Sequence, residues 1–192
     1  MYNYSMNKKL FVISGCSGVG KGTVISEFMK RNSDNFILSV SCTTRNPRPN
    51  ETDGVNYFFI SKEEFEQNIK DGKFLEYACF AGNYYGTKKK YIRQRMNEGY
   101  NVLLEIDTQG ALQVKEKMPE SILIFITPPS IEELEHRLRG RHTEDEETIQ
   151  KRLAQVKIEI ERSKSYDYTV INKNIEQAVE EIESIVRTNV KK

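Results

Sequence analysis

Gly15-Cys16-Ser17-Gly18-Val19-Gly20-Lys21-Gly22-Thr23 decides the fold. The apolar run Leu10-Phe11-Val12-Ile13 precedes it, and an amphipathic segment through Phe28 and Met29 follows it. Strand, glycine-rich turn and helix, in that order, are the context of a phosphate-binding loop. Glycines let the backbone curl until several amide N–H groups point at one phosphate chain. The helix beginning at the turn adds its positive dipole end. Lys21 supplies a mobile cation for the outer phosphates.

One position departs from the usual pattern. The residue after the lysine is ordinarily Ser or Thr, whose hydroxyl ligates magnesium. Here it is Gly22, and the hydroxyl arrives one place later at Thr23. A step of one residue turns a helical side chain by about 100°. Magnesium is therefore expected on phosphate oxygens and water, with Thr23 an open alternative. The Lys-Gly-Thr ending resembles nucleoside-monophosphate kinases.

The 192 residues suit one domain with inserted lobes. A net charge of +1 gives no general argument for nucleic acid or a membrane surface. No apolar run approaches the roughly 20 residues that span a bilayer. Met1 to Lys9 lacks an apolar signal core, so secretion is not expected; a frayed tail, with Met6 as an alternative start, fits it. Cys16, Cys42 and Cys79 are odd in number and widely spread, unlike a disulfide framework or a zinc site. A reducing cytoplasm is the expected compartment. Neither His136 nor His142 has metal-ligand spacing.

Strand-like runs occur at Leu10–Ser14, Phe36–Ser41, Val102–Ile106, Ile122–Thr127 and Tyr168–Ile171. Most are apolar throughout, as in parallel strands buried on both faces. Capping boxes mark helix starts at Ser61 with Glu64, Ser130 with Glu133, and Thr143 with Glu146. Ile175, Val179, Ile182 and Val186 form the core-facing stripe of a last helix. The expectation is an α/β, three-layer fold, a parallel core sheet flanked by helices. Two segments interrupt the alternation. Residues 41–90 carry a Pro- and Gly-rich loop, aromatic strands and a short helix. Residues 131–152 are dense in charge. The core is then about 8–40, 91–130 and 153–192.

The first lobe holds substrate chemistry. Ser41-Cys42-Thr43-Thr44-Arg45-Asn46-Pro47-Arg48 sets two arginines three residues apart. Arginine forks pair with phosphate oxygens, and two can hold one dianion. Downstream come Tyr57, Phe74-Leu75-Glu76 and Gly82-Asn83-Tyr84-Tyr85-Gly86-Thr87. Singly, each also fits a plainer role: Arg48 a solvated charge, Tyr57 a packing ring, Glu76 a strand-edge acid.

Together with the phosphate loop they resemble guanylate kinase, over nearly the whole chain. The most specific pieces are Ser-x-Thr-Thr-Arg-x-Pro-Arg at 41–48, Phe-Leu-Glu at 74–76, Gly-Asn-Tyr-Tyr-Gly-Thr at 82–87 and Leu-Glu-Ile-Asp-x-Gln-Gly at 104–110. Pro-Pro-Ser…Arg-Leu-x-Gly-Arg at 128–141 is another. The resemblance implies transfer of the ATP γ-phosphoryl group to GMP or dGMP with Mg²⁺, no nucleic-acid or membrane partner, and a monomer or homodimer. It makes 41–90 a GMP-binding lobe and 131–152 a helical lid.

By the same resemblance, Gly15 through Thr23 bind ATP. Arg45, Arg48, Tyr57 and Tyr85 hold the GMP phosphate. Ser41, Glu76, Thr87 and Asp107 read guanine. Lys21, Arg45, Arg137, Arg141 and Arg152 serve catalysis. The chemistry agrees. Guanine offers N1–H and N2–H₂ donors side by side, which a carboxylate at Glu76 accepts together. Hydroxyls at Ser41 and Thr87 can donate to O6. Adenine turns an acceptor toward those lone pairs instead. Alternation along one strand sets Glu105 and Asp107 on one side. Many relatives carry Asp at the place of Glu105, which leaves that longer arm's role open between magnesium waters and an arginine. Arg139 reads as a solvated helix charge.

Cys16 has two readings. Loop amides, a helix start and Lys21 can lower a thiol pKa, giving a reactive thiol that ATP would protect. The other is a small buried residue. Three functions stay in play: a GMP kinase, a monophosphate kinase of different base preference, and a non-catalytic guanylate-kinase-like protein-binding module. Glu76 opposes the second. The intact Lys21 loop and the lid arginines oppose the third.

Overall fold

The run that opens at Leu10 becomes strand β1 (Leu10–Gly15), buried from Leu10 through Ser14. Side chains alternate across a strand, and β1 feeds two cores at once. Phe11 and Ile13 join one apolar cluster, Leu10 and Val12 another. A strand so placed has no polar face to show. The computed structural model describes residues 8–140 and 145–190, the Arg137 side chain excepted.

After β1 come α1 (Lys21–Asn32) and β2 (Phe36–Leu38). The chain then builds β3 (Cys42–Thr43), β4 (Phe58–Phe59), α2 (Lys62–Lys70), β5 (Phe74–Phe80) and β6 (Asn83–Lys88). It returns through α3 (Lys89–Asn97), β7 (Asn101–Glu105), α4 (Thr108–Lys117) and β8 (Ile122–Thr127). It ends with α5 (Ile131–Arg139), α6 (Glu146–Ser163), β9 (Tyr168–Ile171) and α7 (Ile175–Val190).

A five-stranded sheet of order β2-β7-β1-β8-β9 is parallel throughout. Val24, Ile25 and Phe28 of α1, Val156 of α6 and Ala178, Val179 and Ile182 of α7 cover one face. Ile92 of α3 with Ala111 and Val114 of α4 covers the other. Helix, sheet and helix make the three layers expected of a phosphate-loop fold. A four-stranded sheet of order β4-β3-β6-β5 stands beside it. There Phe65 of α2 stacks on Phe74 and Tyr84, with ring centroids 4.3 and 5.1 Å apart.

The sequence expectations fare unequally at the ends of elements. β2 stops at Leu38 rather than Ser41. Ser39 N–H still reaches Leu103 O at 2.8 Å, and the chain then crosses to the second sheet at Cys42. Ser61 and Ser130 cap α2 and α5, accepting from the Glu64 and Glu133 amides. The third start is different. Asp145 caps α6 by accepting from Thr148 N–H at 2.8 Å. Thr143 lies outside the described residues. The stripe on α7 is buried at Val179, Ile182 and Val186, whereas Ile175, at the helix's first position, is 39% exposed.

Candidate functional site

The phosphate loop is bound to its surroundings by backbone bonds. Cys16 N–H donates to Ile126 O and Val19 N–H to Cys16 O, both at 3.1 Å. The buried Asn172 side chain donates from Nδ2 to Val19 O at 2.8 Å. Gly18 and Gly20 have φ of 87° and 88°, a left-handed conformation that side chains rarely tolerate. Gly20 caps α1, and Lys21 is its first residue. Gly15 through Thr23 line one cavity of about 470 Å³, closed by Asp107 and Glu159. At Gly22 a β-carbon would meet nothing within 4 Å, so the fold itself does not demand glycine there.

A second cavity of about 320 Å³ opens between the two sheets. Ser41, Tyr57, Glu76, Tyr85, Glu105 and Asp107 stand in its wall. Glu76, only 4% exposed, accepts from Thr87 Oγ1 at 2.6 Å, and Ser41 Oγ lies 3.1 Å from Thr87 Oγ1. Thr87 has one hydroxyl proton and Glu76 takes it, so Ser41 is the donor in its bond to Thr87. Burial, with the Asp107 charge nearby, pushes the Glu76 carboxyl up to about 7 against the pull of Thr87.

Two contacts fix Glu76 in place. A β-carbon at Gly110 would sit 2.8 Å from Glu76 Oε2, so the first turn of α4 lies directly against the carboxylate. The Gln113 side chain pairs with the Tyr77 backbone in both directions, accepting at 3.2 Å and donating at 2.9 Å. Asp107 caps α4 through Gly110 N–H at 2.8 Å, which leaves its second oxygen for other work. It lines both cavities. Glu105 stands in the second cavity and reaches Lys21 Nζ of the first at 3.8 Å.

The arginine loop forms its own cluster at the cavity's edge. Arg45 meets Glu51 with both Nη atoms at 2.9 Å, and its guanidinium lies 5.5 Å from the Tyr57 ring centre. The Tyr57 and Tyr85 rings are 6.0 Å apart. Arg45 and the Arg48 amide together hold the Glu51 carboxyl down to about 2. The Arg48 side chain is exposed.

The arginines expected in a lid lie on two helices and the segment between them. Arg137 belongs to α5 by its backbone, Arg141 lies outside the described residues, and Arg152 is half-buried on α6. Arg139, read as merely solvated, pairs with Glu135 and Glu146 and so ties α5 to α6.

Of the two readings of Cys16, the geometry fits the small buried residue. It is 2% exposed, and burial beside Glu159 pushes its thiol up to about 11. Desolvation and the Glu159 charge outweigh the hydrogen bonds from Thr127 and the backbone, which disfavours the thiolate. Cys42 is buried too, whereas Cys79 is exposed. In a titration with an aromatic disulfide reagent, Cys79 should react at once. Cys16 and Cys42 should react only after denaturation, and ATP should protect neither. Fast modification of Cys79→Ser would contradict this.

Three features escaped the sequence reading. Glu51 shows no motif signal as a partner of Arg45. Glu159 sits in the charged run Lys157-Ile158-Glu159-Ile160-Glu161, where nothing singles it out. Asn172, Lys173, Asn174 and Ile175 join Gly18 to Gly20 and Thr23 around a third cavity of about 420 Å³. Their place just past the C-terminal end of β9 was a usable signal, since ligands of parallel sheets bind at that edge.

The guanylate kinase family model matches residues 7–189. The guanylate kinase of Lactiplantibacillus plantarum is 51% identical over 179 residues, spanning 93% of this chain and 87% of that protein. That of Clostridioides difficile is 51% identical over 183 residues, with coverage of 95% and 89%. Among solved structures, guanylate kinase from Anaplasma phagocytophilum matches with a TM-score of 0.75 at 33% identity, covering 96% of this chain and 87% of that one.

Proposed function

The chain belongs to the guanylate kinase family, and on that premise we infer that it transfers the γ-phosphoryl group of ATP to GMP, giving ADP and GDP. The observation that carries the site assignment is the shared wall. A cavity walled by phosphate-loop amides and one holding a buried carboxylate meet at Asp107. Donor and acceptor can therefore face each other.

In this reading Glu76 accepts N1–H and N2–H₂ of guanine, and the Ser41 hydroxyl turns its one proton from Thr87 Oγ1 to O6. Thr87 fixes the Glu76 carboxylate rather than touching O6, because its proton is committed. Arg45, oriented by Glu51, joins Arg48, Tyr57 and Tyr85 on the GMP phosphate. The cavity at Asn172 to Ile175 takes the adenosine end of ATP, and the phosphate-loop amides take its phosphates.

Phosphoryl transfer asks mainly for alignment and charge neutralisation. Lys21 and the lid arginines Arg137, Arg141 and Arg152 supply positive charge around the transferring group, and closure excludes water. Magnesium would add to that neutralisation. Among the described residues no group of three or more His, Cys, Asp or Glu could cage a metal. We place the ion on phosphate oxygens and water, with Glu105, Asp107 and Thr23 at hand to accept from or bond to those waters. No helix of the described residues is long and apolar enough to cross a membrane. We place the reaction in the cytoplasm, with its nucleotide substrates.

A coupled ADP-release assay with ATP, magnesium and each of GMP, AMP, CMP and UMP tests the proposal. Turnover with GMP alone is expected. Equal turnover with AMP would remove Glu76 as base reader. ATP binding without turnover on any acceptor would favour a protein-binding module.

A further inference from the structure

One buried carboxylate has no part in the reaction so far. Glu159 of α6 is 8% exposed, and its Oε2 accepts Ser17 N–H of the phosphate loop at 3.1 Å. It stands in the wall of the phosphate-loop cavity with Asp107. A carboxylate there is doubly costly. It is desolvated, and it repels the anion that the loop binds. Core filling does not explain it, because Leu would fill the same space without either penalty.

The helix that carries it suggests its use. Arg152 lies seven residues earlier on α6. Seven residues turn a helix by about 700°, within about 20° of two full turns, and advance it by about 10.5 Å. Arg152 and Glu159 therefore share one face of α6. Ile149, Leu153 and Val156 between and beside them are buried. Apolar contacts alone hold a helix against a core with little control over small slides along its axis, whereas a hydrogen bond has a narrow range of length and angle.

We propose that Glu159 is a positioning residue for phosphoryl transfer: its bond to Ser17 N–H sets the rotation and axial position of α6 on the phosphate loop, and so delivers Arg152 to the transferring group. The proposal rests on the reading of Arg152 as a lid arginine.

The test is a double-mutant cycle read by kcat, with the dissociation constant of GMP measured in parallel. Glu159→Leu leaves Ser17 N–H unpaired and should lower kcat by about ten- to a hundredfold, the cost of one hydrogen bond to a charged group. GMP affinity should not change. Glu159→Gln keeps an acceptor oxygen for Ser17 and should restore most of the loss. Arg152→Ala should lower kcat on its own, and adding Glu159→Leu to it should cost little more, since Glu159 acts through Arg152. Wild-type turnover by Glu159→Leu would overturn the proposal. So would losses that add in full, or a Gln variant as poor as Leu. Wild-type turnover by Arg152→Ala would instead remove the lid reading, and the proposal with it.

Discussion

Lys21→Ala will lower kcat by about three orders of magnitude and leave GMP affinity within about twofold. Lys21 opens α1, where the Gly20 cap points the helix start at the loop cavity. Its only ion pair among the described residues is the 3.8 Å contact with Glu105, a separation too long for a hydrogen bond. Such a pair yields easily to a phosphate. The ammonium then stabilises charge that develops only during transfer, so its loss falls on kcat. Tyr57, Glu76 and Tyr85, to which we assign the acceptor, belong to the second cavity and are untouched. Lys21→Arg should not rescue, because a guanidinium fork is wider and differently placed than a point ammonium. Steady-state kinetics with calorimetric titration of GMP separate the two effects. A variant within tenfold of the parent would mean that phosphate transfer does not run through this loop.

Glu76→Gln should cost about 10³- to 10⁴-fold in kcat/KM for GMP, and should narrow the preference over AMP. The amide exchanges one acceptor for an NH₂ donor, which then faces a guanine donor. Adenine, with an acceptor at N1 and a donor at N6, fits the amide better. The parent enzyme carries a milder form of the same defect within reach of pH. With the free carboxyl at about 7, roughly nine-tenths of the sites are neutral at pH 6 and one-tenth at pH 8. Only the ionised form accepts both guanine donors. KM for GMP should therefore rise about tenfold from pH 8 to pH 6, with KM for ATP flat, and Glu76→Gln should lose that slope.

Stability runs the opposite way. The folded carboxyl holds its proton to a higher pH than the unfolded one, whose ordinary value is 4.5. The stability this group contributes is complete below 4.5 and is lost as pH rises through 7. GMP should therefore raise the melting temperature more at pH 8 than at pH 6. An equal rise at both would show that Glu76 does not read the base.

The elements legible in the sequence were those whose pattern has one physical cause. Leu10–Ile13 and Ile122–Thr127 are apolar because helices cover both faces, and both runs became strands with their expected limits or nearly so. The phosphate loop was legible because Gly18 and Gly20 must adopt positive φ. β3 and β4, two residues each, are too short to carry a period, so the second sheet could be read only as aromatic strands. Asp107 illustrates a double role that sequence does not resolve. One oxygen caps a helix, and the same side chain stands in both cavities. Glu51 and Glu159 were missed because charged residues in charged surroundings look solvated, and only the folded chain shows what each one holds.

The strand order of the core sheet also has a consequence for how the protein is made. β1 sits in the centre, paired with β7 and β8 on its two sides. Among the described residues it precedes every other strand, yet its neighbours end at Glu105 and Thr127. At roughly 5–20 residues per second, a ribosome needs on the order of ten seconds to complete them. The second sheet is local by comparison: β5 and β6 are joined by Ala81 and Gly82, so it can close while the core waits. Until β7 and β8 emerge, a wholly apolar segment of the nascent chain lacks its partners, which makes residues 10–13 a natural point of engagement for a chaperone and a place where misassembly would begin.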